Sequence, residues 1–448
     1  PMSDGEHYAI IDNNNKSIIK YSYETGEQVD IIADVAQFGD DKILIISNFT
    51  FNSSETKILF YTDRQNIYRR SFTAQYYVWD ILSQKLTPIA DSRRQQVATF
   101  SPDGEKVAYV SDNNLYIKNL SDNSEIQITT DGEFNHIING IPDWVYEEEF
   151  EYNKAFCWSP DSRTLAWCRF DESAVPSYQF QMFQGDAPKL TDNKLYPSTY
   201  SYKYPKAGEA NSIVSVFSYD IETNKKTEIN LGDNPDQYIP RILWSPAGKL
   251  VIFRLNRQQN HLEMLYADSN GSTSVFYNET NTRYIDETTF DFLQFNSDGS
   301  QFIMLNETDG WSHIYLYKAD GTLINKITDG NYDVTDIYGF DEKNKTIYYQ
   351  SAESGAANRD VFSIRTDGRH KTSLNVANNG TNALVMSSNC NYYINIYSNT
   401  TEPPIYTLWK RGGKKLRTLE DNNELKNKLL QSSFQPKEFI SIPTPEGI

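Results

Sequence analysis

The chain has 448 residues, a formal charge of −18 and 14% aromatic residues, including 31 Tyr and 23 Phe. This length allows a large buried core, and the aromatic content favours strands over helices. The negative charge repels phosphate backbones and so argues against a nucleic acid partner, whereas cationic ligands such as peptide N-termini would be weakly attracted. No apolar run approaches the ~20 residues that a membrane span needs.

The sequence predicts no metal site and no cofactor. Its three cysteines and five histidines are scattered. They show neither the CxxC spacing nor the HExxH spacing of metal sites.

One local pattern recurs along the chain: an aromatic residue, a tight polar turn, and then a strand that alternates apolar and polar residues. Pro fixes φ at the first turn position, and Asp and Gly tolerate the corner that follows. The pattern begins at Phe100, Trp158, Trp244, Phe295 and Phe340.

A second hairpin often follows the first, as at 314–328, so each unit has four strands and a length of about 50 residues. Four-stranded units repeated in line are typical of a β-propeller. A set of β-sandwiches is the alternative, but the regular repeat and the lack of linkers favour the propeller. The clearest helical pattern, Asp421–Leu430, lies near the end.

The repeat is interrupted at about 135–152 and is stretched at 171–208. The first interruption contains Asp143-Trp144-Val145-Tyr146-Glu147-Glu148-Glu149-Phe150. Most acidic runs are solvated surface, but large aromatics can exclude water from neighbouring carboxylates. Such carboxylates repel each other and favour a cation, which could be a peptide ammonium, a metal ion or an Arg.

This acidic segment resembles the double-glutamate motif of the dipeptidyl peptidase IV family of serine peptidases, which are of the prolyl oligopeptidase type. Further motifs follow in the family's order: Phe156–Ser162, Val175-Pro176, Tyr204–Gly208, Gly310–Tyr315, Pro404–Leu408 and Leu419–Asn422. The resemblance therefore covers nearly the whole chain.

The resemblance implies an all-β fold, an eight-bladed β-propeller of four-stranded antiparallel blades, over residues 1–437. Residues 438–448 would begin a C-terminal α/β-hydrolase domain that this chain lacks, so we expect a fragment cut at both ends. The segment Gly310-Trp311-Ser312-His313-Ile314 is not the Gly-x-Ser-x-Gly nucleophile elbow, because it lacks the second Gly and a strand follows it. Since no Ser–His–Asp triad can be assembled, we expect the chain alone to be catalytically inactive.

By the same resemblance, Glu148 and Glu149 hold the α-ammonium of a peptide substrate, with Glu147 as their neighbour. The family releases Xaa-Pro or Xaa-Ala dipeptides from peptide N-termini. It also places an Arg of the propeller against the first carbonyl of the substrate, and here Arg93 or Arg94 lies where that Arg belongs. Tyr284 falls near an aromatic position of the family's pocket, but a place in the blade core is an equal alternative.

The expected partners are peptides with a free N-terminus and the hydrolase domain in cis. The resemblance further implies a homodimeric parent, with 238–242 as the dimerisation arm, and a periplasmic or cell-surface location. The composition looks bacterial. Two other functions stay open: a stand-alone propeller that binds a protein partner as a scaffold, and the propeller of a prolyl tripeptidyl peptidase.

Overall fold

The computed structural model describes residues 1–40, 43–183 and 195–445. Eight antiparallel sheets follow one another along the chain and form an eight-bladed β-propeller, which confirms the predicted fold. Among the described residues, blades two, three, six, seven and eight each have four strands in chain order, blades four and five have five because two short strands share one edge position, and blade one has three.

The strands of the first three blades are β1 His7–Ile11, β2 Ser17–Ser22, β3 Gln28–Asp34; β4 Asn48–Phe51, β5 Lys57–Asn66, β6 Phe72–Asp80, β7 Lys85–Pro88; and β8 Gln96–Phe100, β9 Lys106–Ser111, β10 Asn114–Asn119, β11 Glu125–Gln127. A 3-10 helix, Val35–Gln37, follows β3. Blade four contains two insertions, and its elements are β12 Ile137–Asn139, α1 Trp144–Glu149, β13 Phe156–Trp158, β14 Thr164–Asp171, β15 Ser177–Met182, β16 Ser198–Lys203, β17 Ile213–Asp220 and β18 Lys225–Glu228.

Blades five and six contain β19 Gln237–Tyr238, β20 Ile242–Trp244, β21 Leu250–Asn256, β22 His261–Ala267, β23 Thr273–Thr280; and β24 Gln294–Phe295, β25 Gln301–Asn306, β26 His313–Lys318, β27 Leu323–Lys326. A second 3-10 helix, Glu287–Phe292, lies between these two blades. Blades seven and eight contain β28 Val334–Asp341, β29 Thr346–Ser351, β30 Asp360–Arg365, β31 Thr372–Ser373; and β32 Thr381–Met386, β33 Tyr392–Ser398, β34 Ile405–Lys410, β35 Lys414–Glu420, after which comes α2 Asn423–Gln431.

The recurrent polar turns connect the first and second strands of blades three to seven. In the turn before β9, the Gly104 amide donates to the Ser101 carbonyl at 2.8 Å and Gly104 has a φ of +71°. Ser162 has a φ of +61° in the corresponding turn of blade four. Because glycine adopts positive φ without a steric penalty, the repeated Gly places the corner of the turn at a fixed point before the strand.

The ring closes through contacts between blades one and eight. The Tyr23 and Tyr392 rings stack with centroids 5.4 Å apart, and Arg417 Nη2 donates to the Tyr23 carbonyl at 3.0 Å. In the described part of the chain no strand is shared between these two sheets. Side-chain packing therefore closes the ring instead of strand exchange.

The largest hydrophobic cluster runs from blade three to blade six and includes Tyr146 and Phe150 of the acidic segment. The predicted C-terminal helix is present as α2, which begins and ends close to the expected bounds and buries no residue. Among the helices of the described residues, none has the length and apolar character to cross a bilayer.

Candidate functional site

The acidic segment forms α1, which interrupts the first strand of blade four. β12 and β13 lie on either side of it, and both pair with β14, at Arg169–Asp171 and at Leu165–Trp167. The sheet therefore continues past the insertion, and the helix projects from an intact blade.

Asp143 begins this helix. Its carboxylate accepts from the Tyr146 amide at 2.9 Å, as an N-cap residue does, and from the Ser212 hydroxyl at 2.5 Å. Burial raises the pKa of Asp143, and these two hydrogen bonds oppose that shift. Asp143 thus fixes the start of the helix and ties it to the segment before β17.

Two contacts with blade five fix the rest of the helix. The Tyr146 hydroxyl accepts from the Ile239 amide at 3.0 Å. Arg241 Nη2 donates to the Phe150 carbonyl at 2.6 Å, while the same guanidinium binds both carboxylate oxygens of Asp291 at 2.6 and 2.8 Å. A carbonyl at the end of a helix needs such a donor when water is excluded. The helix is therefore held at both ends before any ligand arrives.

The three glutamates of α1 differ in their surroundings. Glu147 is only 2% exposed, and its Oε1 accepts from the backbone amides of Arg70 and Ser71 at 2.7 and 2.8 Å. These amides belong to the loop between β5 and β6 in blade two. Glu147 therefore joins the helix to that loop, and we assign it a structural role beside the two glutamates that follow.

Glu148 and Glu149 are the glutamates that reach solvent. Glu148 is half-buried, with a side-chain exposure of 18%, and its Oε1 lies 2.6 Å from Arg69 Nε. Glu149 is exposed. Two consecutive carboxylates, those of Glu148 and Glu149, thus lie on a helix that is fixed at both ends, and the Arg69 guanidinium contacts the first of them.

The contact with Arg69 could not be predicted from the sequence. Arg69 and Arg70 lie in the loop between β5 and β6 of blade two, and only the ring brings that loop to blade four. Arg70 Nη2 also lies 3.1 Å from Glu151, just beyond the helix.

The other predicted residues lie apart from this pair in the contacts of the described residues. Arg93 donates to the Tyr109 hydroxyl at 2.7 Å and pairs with Glu125, within blade three. Arg94 pairs with Asp63 and donates to Thr73. Tyr284 is 58% exposed, so the structure does not place it in the blade core.

The segment 238–242, expected as a projecting arm, is instead part of the body of blade five. Ile239 is fully buried and its amide binds α1, so this expectation is wrong. The element that projects is the hairpin β15–β16, between the second and third strands of blade four. Its strands expose Tyr178, Phe180 and Tyr200. Residues 184–194 of the stretched region lie outside the described residues.

Aromatic rings connect this hairpin to α1. The ring centroids of Trp144 and Tyr204 lie 4.3 Å apart, and those of Tyr204 and Tyr178 lie 5.9 Å apart. This aromatic wall covers the side of the helix that faces the hairpin.

A cavity of about 460 Å³ begins at the C-terminal end of α1. It extends from Phe150 and Arg241 toward blades six and seven, and carboxylates dominate its lining: Glu151, Asp286, Glu287, Asp291, Glu307 and Asp333. Burial raises the pKa of Glu307, and the neighbouring charges of Asp286 and Asp333 add to the shift. The helix therefore stands at the edge of a region of negative potential, which attracts cations.

Ser312 and His313 have contacts that fit ordinary blade residues. His313 begins β26, and its two ring nitrogens lie 3.0 Å from the Thr328 hydroxyl and 3.0 Å from the Gly330 carbonyl. His313 also lies near Asp309 and Asp329, a grouping that could suit a metal. The Lys326 ammonium pairs with both of these carboxylates, so a cation already neutralises them.

Comparison with known proteins agrees with this architecture. Residues 52–404 match the model of the dipeptidyl peptidase IV (DPP IV) N-terminal region. A crystal structure of Porphyromonas gingivalis dipeptidyl peptidase 4 superposes with a TM-score of 0.93 at 39% identity, over 100% of this chain and 62% of that one.

The curated relatives that the sequence matches are also dipeptidyl peptidases or dipeptidyl-aminopeptidases. A probable dipeptidyl-aminopeptidase B of Phaeosphaeria nodorum is 32% identical over 75% of this chain and 39% of its own length. Dipeptidyl peptidase 4 of Trichophyton rubrum is 29% identical over 91% of this chain and 56% of its own length. The chain thus spans about half the length of these relatives. On the strength of the family match and its extent, the chain belongs to the dipeptidyl peptidase IV family and corresponds to its N-terminal region.

Proposed function

We propose that this chain is the propeller of a serine dipeptidyl aminopeptidase that releases Xaa-Pro or Xaa-Ala dipeptides from peptide N-termini. In this proposal Glu148 and Glu149 bind the α-ammonium of the substrate, and an α/β-hydrolase domain outside these residues carries the Ser–His–Asp triad. The relatives described above are dipeptidyl peptidases and dipeptidyl-aminopeptidases, and this similarity supports a peptidase.

One observation carries the proposal: adjacent carboxylates that reach solvent stand on a helix that is fixed at both ends. Asp143 and Arg241 hold the helix, and Glu147 anchors it to blade two. A solvated acidic run with no function needs no such support. A binding site does, because a rigid site loses less entropy when the ligand binds.

The chemistry of a peptide N-terminus suits this pair. An ammonium has three N–H donors, and carboxylates accept them in short, charge-assisted hydrogen bonds. A free α-amine has a pKa of about 7.7–8.0, and two carboxylates favour its charged form at neutral pH. Since two extended residues span roughly 7 Å, fixing the amine also fixes which peptide bond meets the nucleophile.

The test is kinetic and uses the full-length protein from which this chain derives. Glu148→Gln and Glu149→Gln keep the size of each side chain and remove its charge. We expect each to lower kcat/KM for Ala-Pro chromogenic substrates by at least 100-fold, about 2.7 kcal/mol of transition-state stabilisation. Glu222→Gln is the matched control, since Glu222 is 63% exposed and pairs with Arg163, but lies between β17 and β18 and not on α1.

Unchanged kcat/KM in both helix variants would contradict the anchoring role. Release of three residues instead of two by the wild-type protein would favour the tripeptidyl alternative. Turnover by residues 1–448 alone would contradict the proposal that the catalytic triad lies elsewhere.

A protein–protein role has separate support in the exposed aromatic face of β15–β16. We propose that the full-length protein is a homodimer and that this hairpin, not the segment 238–242, contributes to the contact. Light scattering of the full-length protein and of a Tyr178→Ser, Phe180→Ser variant tests this, and an equal dimer fraction in both would contradict it.

Export to the periplasm or cell surface stays a proposal, which cell fractionation can test.

A further inference from the structure

The acidic cavity at the C-terminal end of α1 has no part in the proposed binding of the substrate ammonium. Phe150 and Glu151 line it, and these are the two residues that directly follow Glu149 in the chain. A peptide whose ammonium binds Glu148 and Glu149 therefore has this cavity beside its first residue. The side chain of that residue is the part of the peptide that can enter the cavity.

The charge of the cavity is not balanced within its lining. Among the described residues, six carboxylates and one guanidinium line it, and that guanidinium, of Arg241, already binds both oxygens of Asp291 at 2.6 and 2.8 Å. The charges that act on the Glu307 carboxylate are all negative and include those of Asp286 and Asp333. Glu307 is thus a half-buried carboxylate without a cation in the part of the chain that the structure describes.

A hydroxyl in the same lining also has no partner. Ser312 is 6% exposed, and its amide donates to Asp333 Oδ1 at 2.9 Å. Its Oγ makes no hydrogen bond to any described residue, although the side chain lines the cavity. Buried polar side chains are nearly always hydrogen-bonded. An unpartnered hydroxyl among carboxylates therefore indicates a ligand that donates hydrogen bonds.

The cavity suits a long cationic side chain better than a metal ion. Its volume is about 460 Å³, and its lining includes four apolar residues: Phe150, Phe292, Leu305 and Val334. Lys and Arg side chains place their alkyl stems on such surfaces and their charged heads on polar groups. A chelated ion needs several oxygens at bonding distance, but no three carboxylate oxygens of the described lining lie within 4.8 Å of one another.

We infer that this cavity binds the side chain of the substrate's first residue and selects peptides that begin with Arg or Lys. The inference rests on the proposed function, because the ammonium bound by Glu148 and Glu149 fixes the Cα from which that side chain extends. The cationic head lies near Glu307 and donates to Ser312 Oγ. Glu307 is the main specificity-determining residue, since its carboxylate gains a cation only when the ligand binds.

The size of the preference follows from the partial exposure of the site. Partly solvated ion pairs are individually weak, so one carboxylate contributes a factor of about two to five. Several carboxylates surround the ligand, so an Arg substrate should exceed its uncharged analogue by about tenfold in kcat/KM.

The test uses the full-length protein and two chromogenic substrates, Arg-Pro and citrulline-Pro, whose first side chains have the same shape and differ in charge. We expect a kcat/KM ratio of about ten in the wild type. Glu307→Gln should lower this ratio by about two- to fivefold, and Ser312→Ala, which removes only the unpartnered hydroxyl, by about twofold. Glu222→Gln is the matched control and should keep the wild-type ratio, since Glu222 is 63% exposed and lies outside the cavity.

The ratio separates this inference from the proposed function. If both substrates are cleaved with equal kcat/KM, or if Glu307→Gln keeps the wild-type ratio, the cavity has no such role and the ammonium anchor stands. If neither substrate is cleaved and Ala-Pro substrates are not cleaved either, the proposed function fails and the inference fails with it. Calcium binding to the wild-type protein that Glu307→Gln abolishes, measured by calorimetry, would assign the cavity to a metal ion and overturn the inference.

Discussion

Replacement of Glu147 by Ala should destabilise the protein far more than replacement of either neighbouring glutamate. Glu147 is 2% exposed, and its Oε1 is the acceptor for two backbone amides. Alanine leaves both amides without an acceptor in a place that excludes most water. An unsatisfied buried donor costs about 1–3 kcal/mol, so for two donors we expect a loss of about 2–6 kcal/mol in the free energy of unfolding.

Glu147→Gln is the graded variant of the same experiment. The amide oxygen can still accept both hydrogen bonds, so only the charge assistance is lost. Since hydrogen bonds to charged groups are about twice as strong as neutral ones, we expect a smaller loss of about 1–2 kcal/mol. Glu148→Gln should change stability by less than about 1 kcal/mol, because Arg69, its partner in the ion pair, is 74% exposed.

Urea denaturation followed by circular dichroism measures these differences as shifts in the midpoint at constant m-value. Hydrogen exchange at the Arg70 and Ser71 amides locates the loss, because these two amides should lose protection first. The reasoning would be refuted if Glu147→Ala unfolded within 0.5 kcal/mol of the wild type, or if the two amides kept their protection.

Three further predictions follow from other parts of the structure. Burial raises the pKa of Glu172 to about 7, with a further contribution from the Asp143 charge. The native state therefore binds more protons than the unfolded state above pH ~4.5, and the stability of the protein falls as the pH rises toward 7. Glu172→Gln should be more stable than the wild type by about 2–3 kcal/mol at pH 8 and equal to it near pH 4, which denaturation at the two pH values will measure. Gly104→Ala should lower the free energy of unfolding by about 1–3 kcal/mol, because φ is +71° and the new Cβ would lie 2.5 Å from Asn52 Nδ2; a melting temperature equal to that of the wild type would contradict this. Arg241→Met should lower the free energy of unfolding by about 1.5–3 kcal/mol and raise the KM of the full-length enzyme, because the Phe150 carbonyl at the end of α1 loses its donor. Calorimetry measures the first effect and steady-state kinetics the second.

The propeller could be predicted from the sequence because the residues that specify each turn and each strand are close together in the chain. Each polar turn fixes a corner with residues that are adjacent in the chain, such as Ser101 and Gly104, and the alternating strand that follows needs only a period of two. The helix α2 likewise follows from a contiguous apolar pattern.

The site was predictable only in part, because its geometry depends on distant segments. The resemblance pointed to the acidic run, but the run does not show that Glu147 would be buried against blade two while Glu148 and Glu149 reach solvent. The expected arginine was assigned to Arg93 or Arg94, whereas the arginine that contacts Glu148 in the structure is Arg69. The arm was placed at 238–242 instead of at β15–β16, although Tyr178, Phe180, Tyr200 and Tyr202 alternate along the sequence as residues on one face of a hairpin do.

The most direct test of the account is a crystal structure of the full-length protein with a bound peptide that has a free N-terminus and Pro at its second position. The account predicts that the peptide nitrogen lies within about 3.2 Å of carboxylate oxygens of both Glu148 and Glu149. A peptide whose amine lies away from α1 would contradict it.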